Sequence, residues 1–156
     1  MDNFDRAILD IVQRDNRLSN REIAERVNLS ESAVRRRLDL LRAKGVIRAD
    51  IALLDRDRLG VTLIVTVEFK DETPEAYGAF RERMRRSARV SQCYSIAGPR
   101  DFLVIAHARS LPEYEKWAET EIMADPAILR YDTAVVFSAV KFETAIPPEF
   151  LSDALG

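Results

Sequence analysis

The hydrophobic period of this chain changes once, near residue 60, and that change does most to restrict the fold. Before it, apolar residues recur three and four apart: Phe4, Ile8, Leu9, Ile11 and Val12 in one stretch, Ile23, Ala24 and Val27 in the next. After it, strand-like and helical stretches alternate. VTLIVTVEF at 61–69 is β-branched and apolar, and Tyr77, Phe80 and Met84 then share a helix face. VSQCYSIAG at 90–98 and DFLVIAHAR at 101–109 read as two strands around the turn GPR. A helix carrying Tyr114, Trp117, Ala118 and Ile122 follows, then a long strand, ILRYDTAVVFSAVKF at 128–142. The order β-α-β-β-α-β is the split ferredoxin-like arrangement. The expected fold is therefore α+β: an N-terminal helix-turn-helix domain, winged-helix-like, at 1–48, a linker strand at 49–60, and a ferredoxin-like domain at 61–156. IALL at 51–54 is the strand expected in the linker. That joining stretch has no Pro or Ser run, so it is no floppy tether.

Capping residues mark the helix ends. Asp2 caps the first helix, and DNR at 15–17 interrupts it. Ser19 and Glu22 form the S-x-x-E capping box that opens the second, which ends near Asn28, a residue that tolerates the left-handed conformation of a tight turn. Ser30 caps a third helix running to about Lys44, with Gly45 as its C-terminal stop. Thr73-Pro74 opens a fourth, and Ser110 with Glu113 makes a second capping box.

Composition excludes more than it specifies. A chain of 156 residues, 47% hydrophobic, suffices for one medium domain or two small ones. Its net charge of −2 rules out a strongly basic nucleic-acid coat but not a local basic face. Residues 1–50 carry eleven Lys/Arg against nine Asp/Glu, and the remainder thirteen against seventeen. The sign favours a nucleic-acid contact in the first part. A single cysteine, Cys93, cannot make an internal disulfide. No apolar run approaches the roughly 18 residues of a membrane span. The opening MDNFDRAILD puts acid where a secretion signal would be basic. The expectation is a soluble cytoplasmic protein that does not engage a membrane.

Within that balance, LSESAVRRRLDLL at 29–41 gathers three consecutive arginines. Two helices joined by a turn of about four residues suggest a helix-turn-helix, and small Ala24 sits where the pair must approach closely. At about 100° per residue, Val34, Leu38 and Leu41 share one face of the third helix and turn inward. Ser32 and Arg36 point the opposite way, with Ala33 and Leu40 on the shoulder. Arg35 and Arg37 lie on the two flanks. Arg36, Ser32 and Ala33 are thus aimed where a recognition helix meets base edges, and Arg35 and Arg37 where groove walls carry phosphate. Ser19, Asn20 and Arg21 begin the preceding helix as a phosphate clamp, and Ser30 opens the recognition helix on the same side. These nine residues are the expected contacts to double-stranded DNA. The alternative is a solvated face with ion pairs Glu31–Arg35 and Arg35–Asp39, and Arg37 lies close enough to the apolar face to be structural.

LSNREIAERVNLSESAVRRRLDLLRAKGVI resembles the DNA-binding half of the leucine-responsive/AsnC (Lrp/AsnC) regulators of bacteria and archaea. The family's opening acids and apolar pair appear as Asp2, Asp5, Ile8 and Leu9. Its R-x-S-N and following apolar-Ala step appear as Arg17, Ser19, Asn20, Ile23 and Ala24. Its L-S-x-x-x-V-x-x-R and closing G-[VFI]-I appear as Leu29, Ser30, Val34, Arg37, Gly45, Val46 and Ile47. CYSIAGPRDFLV resembles the family's C-x-x-[TS]-G-x-x-D-[YF]-L segment, and Lys141 matches a lysine near the chain end. Asn28 replaces the family's turn glycine, and Pro99-Arg100 falls where the family varies. The resemblance implies a C-terminal half that senses amino acids and oligomerises. Dimers would pack sheet on sheet, with the strand around Ile51–Leu54 pairing across chains, and could assemble further, commonly to octamers. A small effector, often an amino acid, would sit near Gly98, Pro99, Arg100, Asp101 and Phe102. There Gly98 permits close approach, Arg100 could take a carboxylate and Asp101 an ammonium. The plainer reading of that loop is a hairpin turn with Asp101 on its own backbone.

No catalytic residue, metal cluster or cofactor motif is expected. His107 is the lone histidine and shares a strand face with Leu103 and Ile105, where a hydrogen-bonded role outweighs catalysis. Cys93 and the Tyr114/Trp117 pair read as core, and Asp55 and Asp57 as solvated loop charges. One alternative is an enzyme, since some related chains resemble tetrapyrrole (siroheme-type) decarboxylases that use histidine and arginine on the sheet. Another is a sensor module that no longer binds DNA.

Overall fold

A computed structural model describes residues 1–55, 58 and 60–150. Contacts divide the chain into two units. One is Met1–Leu53 with the described residues from Lys141 onward, and the other is Leu54–Val140.

The first unit is built from α1 (Asn3–Val12), α2 (Asn20–Val27) and α3 (Glu31–Ala43). Capping boxes open α1 at Asp2/Asp5 and α2 at Ser19/Glu22, and the Ser30 hydroxyl accepts the Ala33 N–H to open α3. Asn28 ends α2 at φ 55°, ψ 50°, the left-handed conformation the corner requires. Ile8, Ile23, Ala24, Val34 and Leu38 form the core, with Val27, Leu29 and Ile47 against its edge. The side chain of Gln13, the residue that caps the C-terminus of α1, clasps the tail: its Nε2 donates to the Ile146 carbonyl at 2.7 Å, and its Oε1 accepts the Ile146 N–H at 2.8 Å.

The second unit has β1 (Val61–Phe69), α4 (Pro74–Arg86), β2 (Val90–Ser95), β3 (Phe102–Ala108), α5 (Leu111–Ala118) and β4 (Ile128–Val135). The strands form one antiparallel sheet in the order β2-β3-β1-β4. Strict alternation buries Leu63, Val65 and Val67 of β1 and Phe102, Val104 and Ala106 of β3 among the helix residues Phe80, Met84, Tyr114 and Trp117. Thr62, Ile64 and Thr66, paired in register with His107, Ile105 and Leu103, lie on the other face and stay half-buried. Gly60 precedes β1 at φ 107°, where a Cβ would come within 2.3 Å of the Ala108 carbonyl oxygen. No other residue type fits there.

Three expectations change. The last strand ends at Val135 rather than Phe142, because β1 offers no partner beyond its own start: Val136 N–H bonds the Thr62 carbonyl at 2.9 Å and the ladder is finished. Phe137 and Val140 beyond it are fully exposed. Residues 51–54 form no strand within the chain, leaving Ile51, Leu53 and Leu54 exposed. The second capping box is half-formed. Ser110 accepts the Glu113 N–H, but the Glu113 carboxylate reaches the Arg109 N–H at 2.9 Å instead of returning to the cap residue. After α5 the helix widens into a π-turn, Glu119–Met123, which periodicity does not distinguish from ordinary helix. Asp57 lies outside the described residues.

Candidate nucleic-acid interface and effector loop

On α3, burial follows the wheel. Val34, Leu38 and Leu41 are buried, Ser32, Arg35 and Arg36 are exposed, and Ala33 is half-buried between them. Neither Glu31–Arg35 nor Arg35–Asp39 pairs. Arg35 and Arg36 have no carboxylate partner among the described residues, so both guanidiniums keep their donors for an outside acceptor. Ser32 and Ser30 hydroxyls lie 3.2 Å apart at the start of the helix. On α2, Asn20 is half-buried and Arg21 is exposed, its Nε 3.2 Å from Glu25 in a surface pair that screening keeps weak. Ser19 is committed to the cap, with its hydroxyl and its N–H both donating to Glu22 at 2.7 Å. Those bonds hold the Glu22 carboxyl below its usual range.

Arg37 departs from the expected phosphate role. Its Nη1 lies 2.7 Å from Asp5 and 2.8 Å from Asp2, its guanidinium sits 5.4 Å from the Phe4 ring centroid, and the side chain is only 22% exposed. Its flank faces α1, whose two capping acids draw it inward. The bond to Asp5, ahead of the contribution from Asp2, raises its already high pKa. Arg37 fastens the recognition helix to α1.

The loop between β2 and β3 is likewise more committed than expected. Arg100 donates from Nη1 to Glu68 and from Nη2 to Asp132, both at 2.7 Å, and from Nη1 to the Pro99 carbonyl at 2.9 Å. Asp101 accepts the Phe69 N–H at 2.6 Å and the Tyr77 hydroxyl at 2.5 Å. It does not bond its own backbone as a simple turn would. Burial, then the Asp101 hydrogen bond and charge, push the Tyr77 hydroxyl up to about 12. Phe102 is 1% exposed and meets Phe69, Tyr77 and Phe80 in an aromatic cluster. It is core rather than an open contact, because its strand position faces the helices. Gly98, at φ 138°, and Pro99 remain exposed. Sequence reasoning missed Tyr77, Glu68 and Asp132 here. Register carries the only signal: Asp132 stands opposite Thr66 and Arg130 opposite Glu68 on the face of the sheet away from the helices.

His107 is satisfied at both nitrogens, with Nδ1 3.1 Å from the Thr62 hydroxyl and Nε2 2.9 Å from the Ser91 hydroxyl. Cys93 is half-buried against the core, and burial pushes its thiol up. Tyr114 and Trp117 are core, and the Trp117 indole N–H donates to Ser87 at 3.1 Å. Among the described residues no helix is long and apolar enough to cross a membrane.

Residues 1–48 match the family described as winged helix-turn-helix DNA-binding, and residues 62–146 match the Lrp/AsnC ligand binding domain. An uncharacterized HTH-type transcriptional regulator of Sinorhizobium fredii is 35% identical over 96% of this chain and 89% of its own length. Among solved structures, a transcriptional regulator of Neisseria meningitidis in complex with L-Met superposes with a TM-score of 0.89 at 27% identity, covering 97% of this chain and 99% of that one. An AsnC family transcriptional regulator of Agrobacterium tumefaciens gives 0.88 at 27% identity, covering 97% and 100%.

Proposed function

Because the chain belongs to the Lrp/AsnC family of DNA-binding transcriptional regulators, we propose that α3 reads double-stranded DNA through Ser32, Ala33 and Arg36 while Arg35, Arg21, Asn20 and Ser30 hold phosphate, and that an amino acid bound at the 98–102 loop sets DNA affinity. The observation that carries this reading is the pair Arg35 and Arg36, exposed on α3 and without a carboxylate partner among the described residues. A guanidinium fork can take guanine bidentately, worth ~1–3 kcal/mol of discrimination. Glu31 and Asp39 both lie one turn from Arg35, and neither pairs with it.

The amino-acid ligand class is supported by the match of residues 62–146 to a ligand binding domain and by the L-Met in the Neisseria meningitidis regulator. A two-fold assembly is the natural partner for half-sites about 34–36 Å apart. The half-buried sheet face carrying Ile64, Leu103 and Ile105 gives a homodimer an apolar surface to cover, and dimers of that kind can build octamers. The effector then acts by binding one assembly state better than another. His107 sits between the Thr62 and Ser91 hydroxyls as a structural histidine does, which favours the regulator reading over the decarboxylase alternative.

The test is a gel shift on DNA upstream of the protein's own coding sequence, across salt and with each of the twenty amino acids added. The expected result is specific binding whose log affinity falls steeply with log salt and moves with one amino acid. Binding that ignores both sequence and salt would overturn the reading.

A further inference from the structure

An amino acid brings a carboxylate as well as an ammonium, and the charged side chains of the loop itself are spent: Arg100 on Glu68 and Asp132, Asp101 on the Phe69 N–H and Tyr77. The nearby helix α4 carries four arginines, Arg81, Arg83, Arg85 and Arg86. Arg83 pairs with Asp125, and Arg85 and Arg86 share Glu82. Arg81 is exposed and has no carboxylate partner among the described residues. Its guanidinium stands 5.6 Å from the Phe102 ring centroid and 5.7 Å from that of Tyr77. Those rings are the anchors of the loop, since Phe102 directly follows Asp101 and the Tyr77 hydroxyl donates to Asp101.

A guanidinium held against ring faces keeps its N–H donors along the edge of its plane, where a carboxylate can take two of them side by side. The loop leaves room as well: a Cβ placed on Gly98 would meet nothing within 4 Å. We infer that Arg81 is the carboxylate receptor of the effector site, a residue on α4 whose guanidinium, held near the Tyr77 and Phe102 rings, orients a free amino acid toward the 98–102 loop. The inference rests on the amino-acid reading above and adds the group that recognises the acid end. It also fits the finding that Arg81 is the α4 arginine without an ion pair among the described residues: a resident carboxylate would compete with the ligand.

The experiment uses the full chain. Calorimetric titration with the twenty L-amino acids finds the tightest binder, and that binder and its amino-alcohol analogue, which lacks the carboxylate, are then titrated into wild type, Arg81→Gln and Arg81→Lys. Arg81→Gln is expected to weaken the amino acid at least tenfold while leaving the weaker amino-alcohol affinity at its wild-type value, and Arg81→Lys to recover part of the loss. Unchanged amino-acid affinity in Arg81→Gln overturns the role of Arg81 and leaves the amino-acid reading intact. A wild type that binds none of the twenty overturns both. An Arg81→Gln protein that sediments at a different mass with unchanged affinity assigns Arg81 to a contact between copies, and the inference falls.

Discussion

Arg37 on α3 and Asp5 on α1 meet at 2.7 Å, and Asp2 closes on the same nitrogen at 2.8 Å. The two acids are also the capping box of α1, so one cluster both starts the first helix and fixes the recognition helix to it. The Arg37 Nε is buried without a partner, a sign of how tightly the clasp is closed.

Replacing Arg37 with Met should therefore destabilise the helix-turn-helix unit rather than weaken a phosphate contact. Asp5 would remain largely buried with no cation, a loss of ~1–3 kcal/mol after discounting the exposed Asp2. Thermal melting should register several degrees, about 4–8 °C per kcal/mol in a unit this small. Asp2 is held below its usual range first by the Asp5 N–H and then by Arg37, so its contribution is present above the ordinary carboxylate pKa and fades as pH falls through the depressed one. A melt unchanged at neutral pH would return Arg37 to the DNA surface.

Arg36 and Arg35 should separate base reading from phosphate holding. Arg36→Ala is expected to reduce operator affinity by about ten- to a hundredfold while leaving non-specific binding in place. Arg35→Ala is expected to weaken all sequences alike and to reduce the salt slope by about one. Fluorescence anisotropy on specific and scrambled duplexes, repeated over a salt series, distinguishes them. Two variants that both behave like the parent would show that α3 does not face the duplex.

Element order was legible because each signal was local. Caps at Ser19, Ser30, Thr73 and Ser110 lie within three residues of the groups they satisfy, and β1 alternates strictly. Misread features depend on distant partners. The end of β4 is set by where β1 begins, some seventy residues earlier in the chain. The roles of Arg37, Arg100 and Asp101 are decided by Asp5, Glu68 and Tyr77, which one-dimensional spacing does not bring near them. The exposed placement of Arg36 was legible from the wheel, but whether Arg35 pairs with Glu31 or Asp39 was not, and Arg81, the α4 arginine without a carboxylate partner among the described residues, stands out only once its neighbours' partners are known.

Glu113 should make the second unit acid-sensitive. Its carboxyl is pulled down to about 2 by the Arg109 side chain first, then by Arg89 and by the Arg109 N–H. An unfolded glutamate titrates near 4.3. The stabilisation is thus complete above about pH 4.3 and is lost as pH falls toward about 2. Glu113→Gln should melt below wild type at pH 7, and the gap should close across that acid window. Coincident melting temperatures for the two proteins down the whole range would show that the Glu113 cluster contributes nothing to folding.

Tyr77 and Asp101 give the opposite dependence at high pH. The folded Tyr77 hydroxyl titrates at about 12 whereas an unfolded tyrosine titrates near 10, so ionisation favours the unfolded chain between those values and stability falls as pH rises through them. Tyr77→Phe should remove that slope and lose ~1 kcal/mol at neutral pH, because Asp101 still accepts the Phe69 N–H. Asp101→Ala should lose more, ~2 kcal/mol, because the Phe69 N–H and the Tyr77 hydroxyl are then both left without their acceptor. Chemical denaturation at neutral and alkaline pH measures both. Equal losses from the two variants would mean that the hydroxyl, rather than the strand N–H, is the bond that holds the loop.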